Sequence, residues 1–329
     1  MLTDSLPRVP IAHLPTPLEE LPRLTALLEG PELWVKRDDQ TGLATGGNKT
    51  RKLEFLVADA LNSEADTLIT CGAAQSNHAR QTAAAAAKFG LNCVLVLKGE
   101  MPEQVQGNLL IDRIVGARVV SAAAQPTRSA ALDATMESVA NNLRLEGHRP
   151  YIVPYGGSNS VGASGYVAAM EELLQQSEDA DLVFDHIVFP SSSGGTQAGL
   201  VVGAKALAYN GRLLGISVDP PAADLRRHLA TLATALAALL QLDLRLDPDD
   251  FAVNDCYVGG GYAVVSDLER EAIRTLGQTE GLLLDPVYTG RAFGGLLDLV
   301  RNGVFGKDEK VLFWHTGGVA GLFGYTKRL

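Results

Sequence analysis

Short apolar segments alternate with longer amphipathic segments along most of the chain. Apolar runs bounded by turn residues predict buried strands at 33–36, 67–70, 93–97, 118–121, 151–153, 186–189, 213–218 and 310–314. Helical spacing between them predicts helices at 21–29, 49–61, 79–88, 107–115, 128–146, 165–176, 197–208, 222–240, 267–279 and 291–302. Strands that alternate with helices indicate parallel sheets covered on both faces. These units are too many for one compact sheet, so we predict an α/β protein with two open, mainly parallel-sheet domains.

Composition and charge narrow the class of protein. Of the 329 residues, 46% are hydrophobic and 20% charged, which is typical of a globular chain. The formal charge of −10 argues against nucleic acid or an anionic membrane as a partner, because both require basic surface. Cys71, Cys93 and Cys256 form no CxxC pair, so we expect neither a disulfide framework nor a metal site. Without a signal-peptide pattern or a long apolar span, we expect a cytoplasmic protein.

Two consecutive glycines lead directly into a predicted helix that has a lysine at its start. The glycines at 46–47 release the chain directly into the predicted helix, which places Lys49 at the N-terminal end. This end carries partial positive charge, which lowers the pKa of a lysine and favours the neutral amine that forms a Schiff base. The apolar residues Leu53, Phe55 and Leu56 predict a helix that packs on the surface along one face. An ordinary exposed lysine is the common alternative for Lys49.

Four polar or glycine-rich loops follow predicted strands, at 71–78, 155–159, 191–196 and 315–318. Ligands of open parallel sheets bind beyond the carboxyl ends of the strands, so we expect these loops to converge on one crevice. The loop at 191–196 combines glycines and hydroxyls ahead of a helix, a pattern that suits a phosphate group. A simple turn with a helix N-cap would have the same composition.

Other loop residues add candidate ligands. Ser76, Asn77 and His78 could hold a carboxylate or a ring hydroxyl, although an N-cap and a structural histidine are common alternatives. Tyr288 lies in a loop bounded by proline and glycine after an apolar strand, and Tyr262 follows three glycines; either could instead be a core tyrosine. No G-x-S-x-G motif supports a hydrolase. A lysine, a phosphate loop, an asparagine and two tyrosines together suggest a phosphorylated aldehyde bound as an imine, and pyridoxal phosphate is such a cofactor.

The segments 46–54, 75–78, 285–288 and 315–318 resemble the family of D-cysteine desulfhydrases and 1-aminocyclopropane-1-carboxylate deaminases. The resemblance covers residues 13–325 and implies a pyridoxal-phosphate enzyme with the tryptophan-synthase β-subunit fold, known as fold type II. It also implies a homodimer that acts on a small amino acid. The implied large domain comprises 1–48 and 164–329, and the small domain comprises 49–163.

The resemblance assigns roles to individual residues. It implies that Lys49 binds the cofactor covalently, that Asn77 contacts its ring hydroxyl, and that Ser76 lies beside the substrate carboxylate and could transfer a proton. Tyr262 and Tyr288 match two active-site tyrosines, which could protonate or steady the departing thiol. Further cofactor contacts are implied at Lys52, Ser193, Gly194, Gly195, Thr196, Thr289 and Thr316. Further substrate contacts are implied at Asn77, His78 and Gly157.

One difference from the deaminase sequences bears on which reaction of the family is expected. The deaminases have a glutamate after the tyrosine that matches Tyr288, whereas this chain has Thr289. A carboxylate keeps the pyridine nitrogen protonated and the ring a strong electron sink; a hydroxyl does this poorly. We therefore expect β-elimination, with Lys49 or Ser76 as the base, rather than opening of a cyclopropane. The resemblance implies D-cysteine as the substrate, and the sequence leaves the handedness of the substrate open.

Three alternatives stay open at this stage. An L-cysteate sulfo-lyase would need donors for a sulfonate, for which Arg80 and His78 are candidates. A non-catalytic small-molecule binding protein is disfavoured by the intact Lys49, Ser76, Asn77 and Tyr288. A dinucleotide-dependent oxidoreductase would require a GxGxxG fingerprint, which the sequence lacks.

Overall fold

The computed structural model describes residues 1–122 and 130–329. The strands are β1 (Leu18–Glu20), β2 (Glu32–Arg37), β3 (Thr67–Ala73), β4 (Asn92–Lys98), β5 (Arg118–Ala122), β6 (Pro150–Ile152), β7 (His186–Ser191), β8 (Arg212–Ser217), β9 (Ala252–Asn254) and β10 (Lys310–His315). The helices are α1 (Pro22–Leu28), α2 (Lys49–Asn62), α3 (Asn77–Lys88), α4 (Asn108–Ile114), α5 (Ala130–Leu145), α6 (Ser160–Asp179), α7 (Gly195–Ala206), α8 (Ala222–Leu239), α9 (Asp267–Glu280), α10 (Thr289–Arg301) and α11 (Val319–Leu322).

The strands form two sheets. One has the order β1-β2-β10-β7-β8-β9, and its strand pairs are parallel except for β1 with β2. The other has the order β5-β4-β3-β6 and is parallel throughout. This confirms the α/β prediction. The four-stranded sheet lies within the range predicted for the small domain, and the domain boundary stays a prediction.

The interiors of both sheets come from the apolar runs that predicted the strands. In the six-stranded sheet, β7 is buried along its whole length, and Val188 packs with Phe293 of α10 and Phe313 of β10. In the four-stranded sheet, Leu68 and Leu95 pack in one cluster with α2 and α3. Strands buried on both faces are the expected form of a parallel sheet between helices.

Several boundaries differ from the predictions for physical reasons. The strands β1 and β9 were missed because their three-residue segments, Leu-Glu-Glu and Ala-Val-Asn, form no apolar run, unlike the equally short β6. The apolar strand predicted before Asp285 was wrong, since residues 281–285 have no regular structure and α10 begins four residues later. The helix predicted from 165 begins at Ser160. The start predicted for α5, at 128, lies outside the described residues.

The helix α2 is not the surface helix that its pattern suggested. It is buried on nearly all sides, and even Arg51, Lys52 and Glu54 have almost no exposure. Its neighbour α6 approaches closely, because a Cβ atom on Gly165 would lie 2.4 Å from the carbonyl oxygen of Arg51. A Cβ atom on Gly199 of α7 would similarly lie 2.3 Å from the carbonyl oxygen of Ala163 in α6. The three helices therefore pack backbone against backbone at positions where only glycine fits.

A buried network of charges fixes the first turn of α2 to the larger sheet. The Asp38 carboxylate accepts hydrogen bonds from Arg51 at 2.9–3.0 Å, from the Tyr166 hydroxyl at 2.6 Å and from the Trp314 indole at 2.8 Å. Arg51 also donates to Glu172 at 2.8–2.9 Å. Burial alone would raise the pKa of Asp38, but the charge and hydrogen bonds of Arg51 outweigh it and hold that pKa below its ordinary value.

In the part of the chain that is described, no helix has both the length and the apolar character needed to cross a bilayer. Nor do the described residues place three or more His, Cys, Asp or Glu side chains together in a metal-binding group.

Candidate active site

A cavity lies where the carboxyl ends of the two sheets face each other. It is lined by residues from all four strand-end loops, at 76–78, 155–156, 190–194 and 316–317, together with Lys49. The predicted convergence of these loops is therefore confirmed. The parallel direction of the strands explains it, because every strand-to-helix loop of a parallel sheet leaves at the same edge.

Lys49 is the first residue of α2, as the glycine turn predicted. Gly46 and Gly47 have φ angles of 68° and 125°, and a Cβ atom on Gly46 would lie 2.1 Å from the carbonyl oxygen of Asp39. The Lys49 Nζ atom donates to the Asn48 Oδ1 atom at 3.1 Å. The tight turn thus places the amine inside the cavity, and only glycine permits it.

The ionisation of Lys49 suits a nucleophile. Burial lowers the pKa of Lys49 from 10.5 to about 8, with Asp285 opposing the shift and Arg80 adding to it. The direction agrees with the prediction from the helix end, but burial is the main cause. A substantial fraction of this lysine is therefore a neutral amine near pH 8.

Lys52 lies one turn further along α2, next to the glycine-rich loop. Its Nζ atom donates to the Gly156 carbonyl oxygen at 3.1 Å and to the Ser158 Oγ atom at 3.2 Å, and no carboxylate of the described residues pairs with it. Burial, followed by the charge of Lys49, holds the pKa of Lys52 well below its ordinary value. A buried ammonium that lacks an anionic partner is costly, and an anion placed beside it would remove that cost.

The glycine-rich loop provides the matching anion site. Gly194 has a φ of 90° and is the N-cap residue of α7, and a Cβ atom on Gly195 would lie 2.9 Å from the Lys52 Nζ atom. Backbone N–H groups at a helix start and a lysine ammonium are suitable donors for a phosphate group. The Ser191 Oγ atom is also buried in this loop without a hydrogen-bond partner among the described residues. These residues fit the phosphate of pyridoxal phosphate.

Ser76 and Asn77 form the start of α3 at the opposite side of the cavity. Ser76 is the N-cap of the helix, and its Oγ atom accepts a hydrogen bond from the Ala79 N–H at 3.1 Å. Asn77 accepts a hydrogen bond at Oδ1 from Asn108 at 2.8 Å. A Cβ atom on Gly318 would lie 2.6 Å from the Asn77 Nδ2 atom, so a glycine is needed there. Ser76 therefore caps the helix and also lines the cavity.

His78 and Gly157 differ in how they meet the cavity. His78 lines it, is buried, and has its Nε2 atom 2.8 Å from the Thr70 Oγ1 atom. Burial, with the charges of Lys49 and Lys52, lowers the pKa of His78 well below its ordinary value, so the ring is neutral. Gly157 is buried behind the lining, where a Cβ atom would lie 3.2 Å from Leu56.

The two tyrosines are in contact with each other. The Tyr262 and Tyr288 hydroxyl oxygens are 2.8 Å apart, and the rings meet edge to face with centroids 6.0 Å apart. Tyr288 and Thr316 line the main cavity, and Tyr262 lines an adjoining one together with Tyr155. The structure therefore brings both tyrosines to one side of the cavity.

Thr289 has a different environment from the one predicted. Its hydroxyl lies 2.9 Å from the Asp285 Oδ1 atom and accepts a hydrogen bond from the Asp285 N–H at 2.8 Å. The Asp285 carboxylate also accepts hydrogen bonds from the N–H groups of Val287, Tyr288 and Thr289. Thr289 is fully buried at the start of α10 and is not part of the cavity lining, so its side chain stabilises this loop.

Asn48 was missed in the sequence, and the candidate Arg80 lies outside the cavity. Asn48 links Lys49 to the phosphate loop, because its Nδ2 atom donates to the Thr196 Oγ1 atom at 3.0 Å; its position next to Lys49 was the available signal. Arg80, a candidate for binding a sulfonate, instead donates to the carbonyl oxygens of Ala44 and Gly46 at 2.7 Å and is not part of the cavity lining.

Comparison with known proteins identifies the family of the chain. The family model described as "Pyridoxal-phosphate dependent enzyme" matches residues 9–317. The chain belongs to this family. A solved structure of a pyridoxal 5'-phosphate-dependent aspartate racemase has the same fold, with a TM-score of 0.64 and 20% identity over 92% of this chain and 90% of that one. The predicted cofactor and fold type II are therefore confirmed.

Closer similarity links the chain to particular members. It is 43% identical over 328 residues to a D-cysteine desulfhydrase of Klebsiella pneumoniae subsp. pneumoniae, covering 98% of this chain and 97% of that protein. A D-cysteine desulfhydrase of Salmonella typhi is also 43% identical, over 97% of this chain and 96% of that protein. A solved ACC deaminase homologue has a TM-score of 0.89 and 40% identity over 99% of this chain and 96% of that one. The predicted family resemblance is confirmed.

Proposed function

We propose that this chain is a D-cysteine desulfhydrase, which converts D-cysteine and water to pyruvate, hydrogen sulfide and ammonia. The observation that carries the proposal is the 43% identity to D-cysteine desulfhydrases over nearly the whole chain. The cavity supports it, because Lys49, Ser76, Asn77 and Tyr288 line one space.

Four groups of this chain would hold the cofactor. Lys49 would bind its aldehyde carbon, Lys52 and the loop at 193–196 its phosphate, Asn77 its ring hydroxyl, and Thr316 its ring. When bound, pyridoxal phosphate withdraws electrons from the α-carbon of an amino acid, which makes the α-proton easier to remove. The neutral amine of Lys49, with a pKa of about 8, is then suited to accept that proton.

The substrate carboxylate would lie at the start of α3. Helix N-termini favour anions, and the Ser76 hydroxyl keeps its proton for donation while its oxygen accepts from Ala79. The neutral ring of His78 adds no positive charge to this side of the cavity.

The tyrosine pair would assist the leaving group. As the bond between carbon and sulfur breaks, its electron pair stays on sulfur, which then needs a proton. A phenol can supply it, and the contact at 2.8 Å between the Tyr262 and Tyr288 oxygens lets one hydroxyl support the other as it loses its proton. The leaving group HS⁻, once protonated, is hydrogen sulfide.

The position of Thr289 favours elimination over deamination of a cyclopropane. Threonine has no carboxylate to place beside the ring of a bound cofactor, and the Thr289 hydroxyl is already hydrogen-bonded to Asp285. Elimination needs less electron withdrawal than opening an unactivated ring, because the sulfur leaving group accepts the charge. The proposal therefore expects low activity on 1-aminocyclopropane-1-carboxylate.

A substrate panel tests the proposal. Purified, cofactor-loaded protein is given D-cysteine, L-cysteine, L-cysteate or 1-aminocyclopropane-1-carboxylate, and the products pyruvate, sulfide, sulfite and 2-oxobutyrate are measured. We expect pyruvate and sulfide from D-cysteine, and neither from the matched Lys49→Ala variant. Pyruvate with sulfite from L-cysteate would instead identify a sulfo-lyase, and 2-oxobutyrate as the main product would contradict the argument from Thr289.

We also propose that the protein is a homodimer in the cytoplasm. The dimer rests on the family resemblance, and the cytoplasmic setting rests on the three free cysteines, which suit a reducing compartment. The mass of one chain is 34.8 kDa. Light scattering of the cofactor-loaded protein under reducing conditions should give twice that mass. A mass equal to one chain at micromolar concentration would contradict the dimer.

A further inference from the structure

Asn108, at the start of α4, is completely buried and lies behind Asn77. Its Nδ2 atom donates to the Asn77 Oδ1 atom at 2.8 Å and to the Gln75 carbonyl oxygen at 3.0 Å. Its Oδ1 atom accepts from the Arg80 Nε atom at 3.0 Å. All side-chain hydrogen-bonding groups of Asn108 are therefore used within the protein.

These partners determine which way each amide faces. The guanidinium of Arg80 can only donate, and the backbone carbonyl of Gln75 can only accept. The Asn108 oxygen must therefore face Arg80, and its NH2 group must face Gln75 and Asn77. Only an oxygen can accept this NH2 group, so Asn77 must direct its oxygen towards Asn108 and its NH2 group elsewhere.

We propose that Asn108 is a positioning residue that makes Asn77 present a hydrogen-bond donor, rather than an acceptor, to the ring oxygen of the bound cofactor. A donor stabilises the negatively charged form of that oxygen. The inference rests on the cofactor contact of Asn77 given under the proposed function, but on no particular substrate.

Arg80 extends this arrangement to the lysine. The same guanidinium that fixes Asn108 donates to the carbonyl oxygens of Ala44 and Gly46, in the turn that leads to Lys49. The Asn77 backbone is held as well, because its carbonyl oxygen accepts from the Gln81 Nε2 atom at 3.0 Å. Asn77 and Lys49 are thus positioned by one connected set of bonds.

The test uses Asn108→Asp, which keeps the size of the side chain and its bond to Arg80 but removes the donor. Asn77 should then rotate its amide and present oxygen to the cofactor. We expect the pH midpoint of the visible absorption of the cofactor-loaded protein to rise by about one unit, and the dissociation constant of the cofactor to rise about tenfold. The matched control is the exposed residue Asn142, as Asn142→Asp, which should change neither quantity.

A double variant separates positioning from a general structural role. In the Asn77→Ala background, Asn108→Asp should produce no further shift of the absorption midpoint, because the amide through which it acts is gone. An equal shift in both backgrounds, or no shift in a folded Asn108→Asp protein, would overturn the inference.

A second variant covers the case in which Asn108→Asp does not fold. Asn77→Asp places an acceptor at the same point without altering Asn108 or Arg80, and it should raise the midpoint in the same direction. An unchanged midpoint would overturn the inference. None of these spectra uses D-cysteine, so a failure of the proposed activity and a failure of this inference are distinguishable.

Discussion

Two parts of the same helix bury positive charge in opposite ways. Arg51 donates to both Asp38 and Glu172, and its charge is fully paired inside the protein. Lys49 and Lys52, two residues before it and one after it, are hydrogen-bonded to neutral groups only, among the residues the structure describes. Accordingly the pKa of Arg51 is raised by its acidic partners in spite of burial, whereas burial lowers the pKa values of both lysines.

The paired charge of Arg51 therefore stabilises the fold, whereas the charges of Lys49 and Lys52 are left for a bound ligand to stabilise. A buried ion pair with good geometry is costly to break, because one partner is then left unpaired. An unpaired buried cation destabilises the free protein and gains energy when a suitable group binds. The four predictions below test this contrast, from the largest expected effect to the smallest.

The largest effect is expected from Asp38→Asn. An amide NH2 group in place of the Oδ2 atom would face donors from Arg51, Tyr166 and Trp314. We expect the free energy of unfolding to fall by about 3–5 kcal/mol, measured by urea denaturation at pH 7. The exposed Asp308→Asn is the matched control, and a loss below about 1 kcal/mol for Asp38→Asn would contradict the structural role of the pair.

Lys49→Met should act in the opposite direction on the cofactor-free protein. Because folding lowers the pKa of Lys49 from 10.5 to about 8, its charged form destabilises the folded state below pH 8. The variant should be more stable by up to about 3 kcal/mol at pH 7, since some solvent contact in the cavity reduces the effect. The gain should shrink as the pH rises from 8 to 10.5.

Urea denaturation at pH 7 and at pH 10 measures this dependence. Lys307→Met, at an exposed position, is the control and should show no such change with pH. A variant at position 49 that is less stable than the parent protein at pH 7 would show that the lysine is better solvated than its burial indicates.

Lys52→Met should weaken the binding of an anion to the cofactor-free protein. Inorganic phosphate should raise the melting temperature of the parent protein by neutralising this ammonium beside the loop at 193–196. We expect the dissociation constant for phosphate, from the change of melting temperature with concentration, to rise about tenfold, equivalent to about 1.4 kcal/mol. Lys88→Met is the exposed control, and equal phosphate responses in both variants would place the anion elsewhere.

The smallest effect is expected for an ion pair at the surface. Arg301 and Glu271 pair at 2.7 Å, but their side chains are 47% and 51% exposed. Arg301→Ala should lower the free energy of unfolding by about 1 kcal/mol or less, because water screens the attraction. A loss as large as that for Asp38→Asn would mean that burial does not distinguish the two pairs.

Much of the fold could be predicted because it depends on local pattern. Apolar runs between turn residues located the central strands, and strand direction brought the four loops together at one cavity. The edge strands β1 and β9 were missed because their three residues include polar side chains and form no apolar run. The start of α6 was placed too late because Gly162 resembles a helix breaker, although it lies in close contact with the neighbouring backbone of Gly157.

The site was predictable only in part, for a similar reason. Lys49 and the loop at 191–196 have short sequence signals, namely glycines that precede a helix. The partners of Arg51 and Asn77 have none, because Glu172 and Asn108 are distant along the chain and become neighbours only through folding. The burial of Lys52 against Ser158 likewise depends on how α2 packs, which no local pattern reports.

The glycine contacts of α6 with α2 and α7 also limit how the protein can change over evolutionary time. Any side chain at Gly165 or Gly199 would collide with backbone, so substitutions there are eliminated before they affect catalysis. The lysine-bearing helix and the helix that begins at the phosphate loop therefore keep their spacing in descendants of this chain. New substrate preferences must arise from the loops around the cavity, where a changed side chain does not displace a helix.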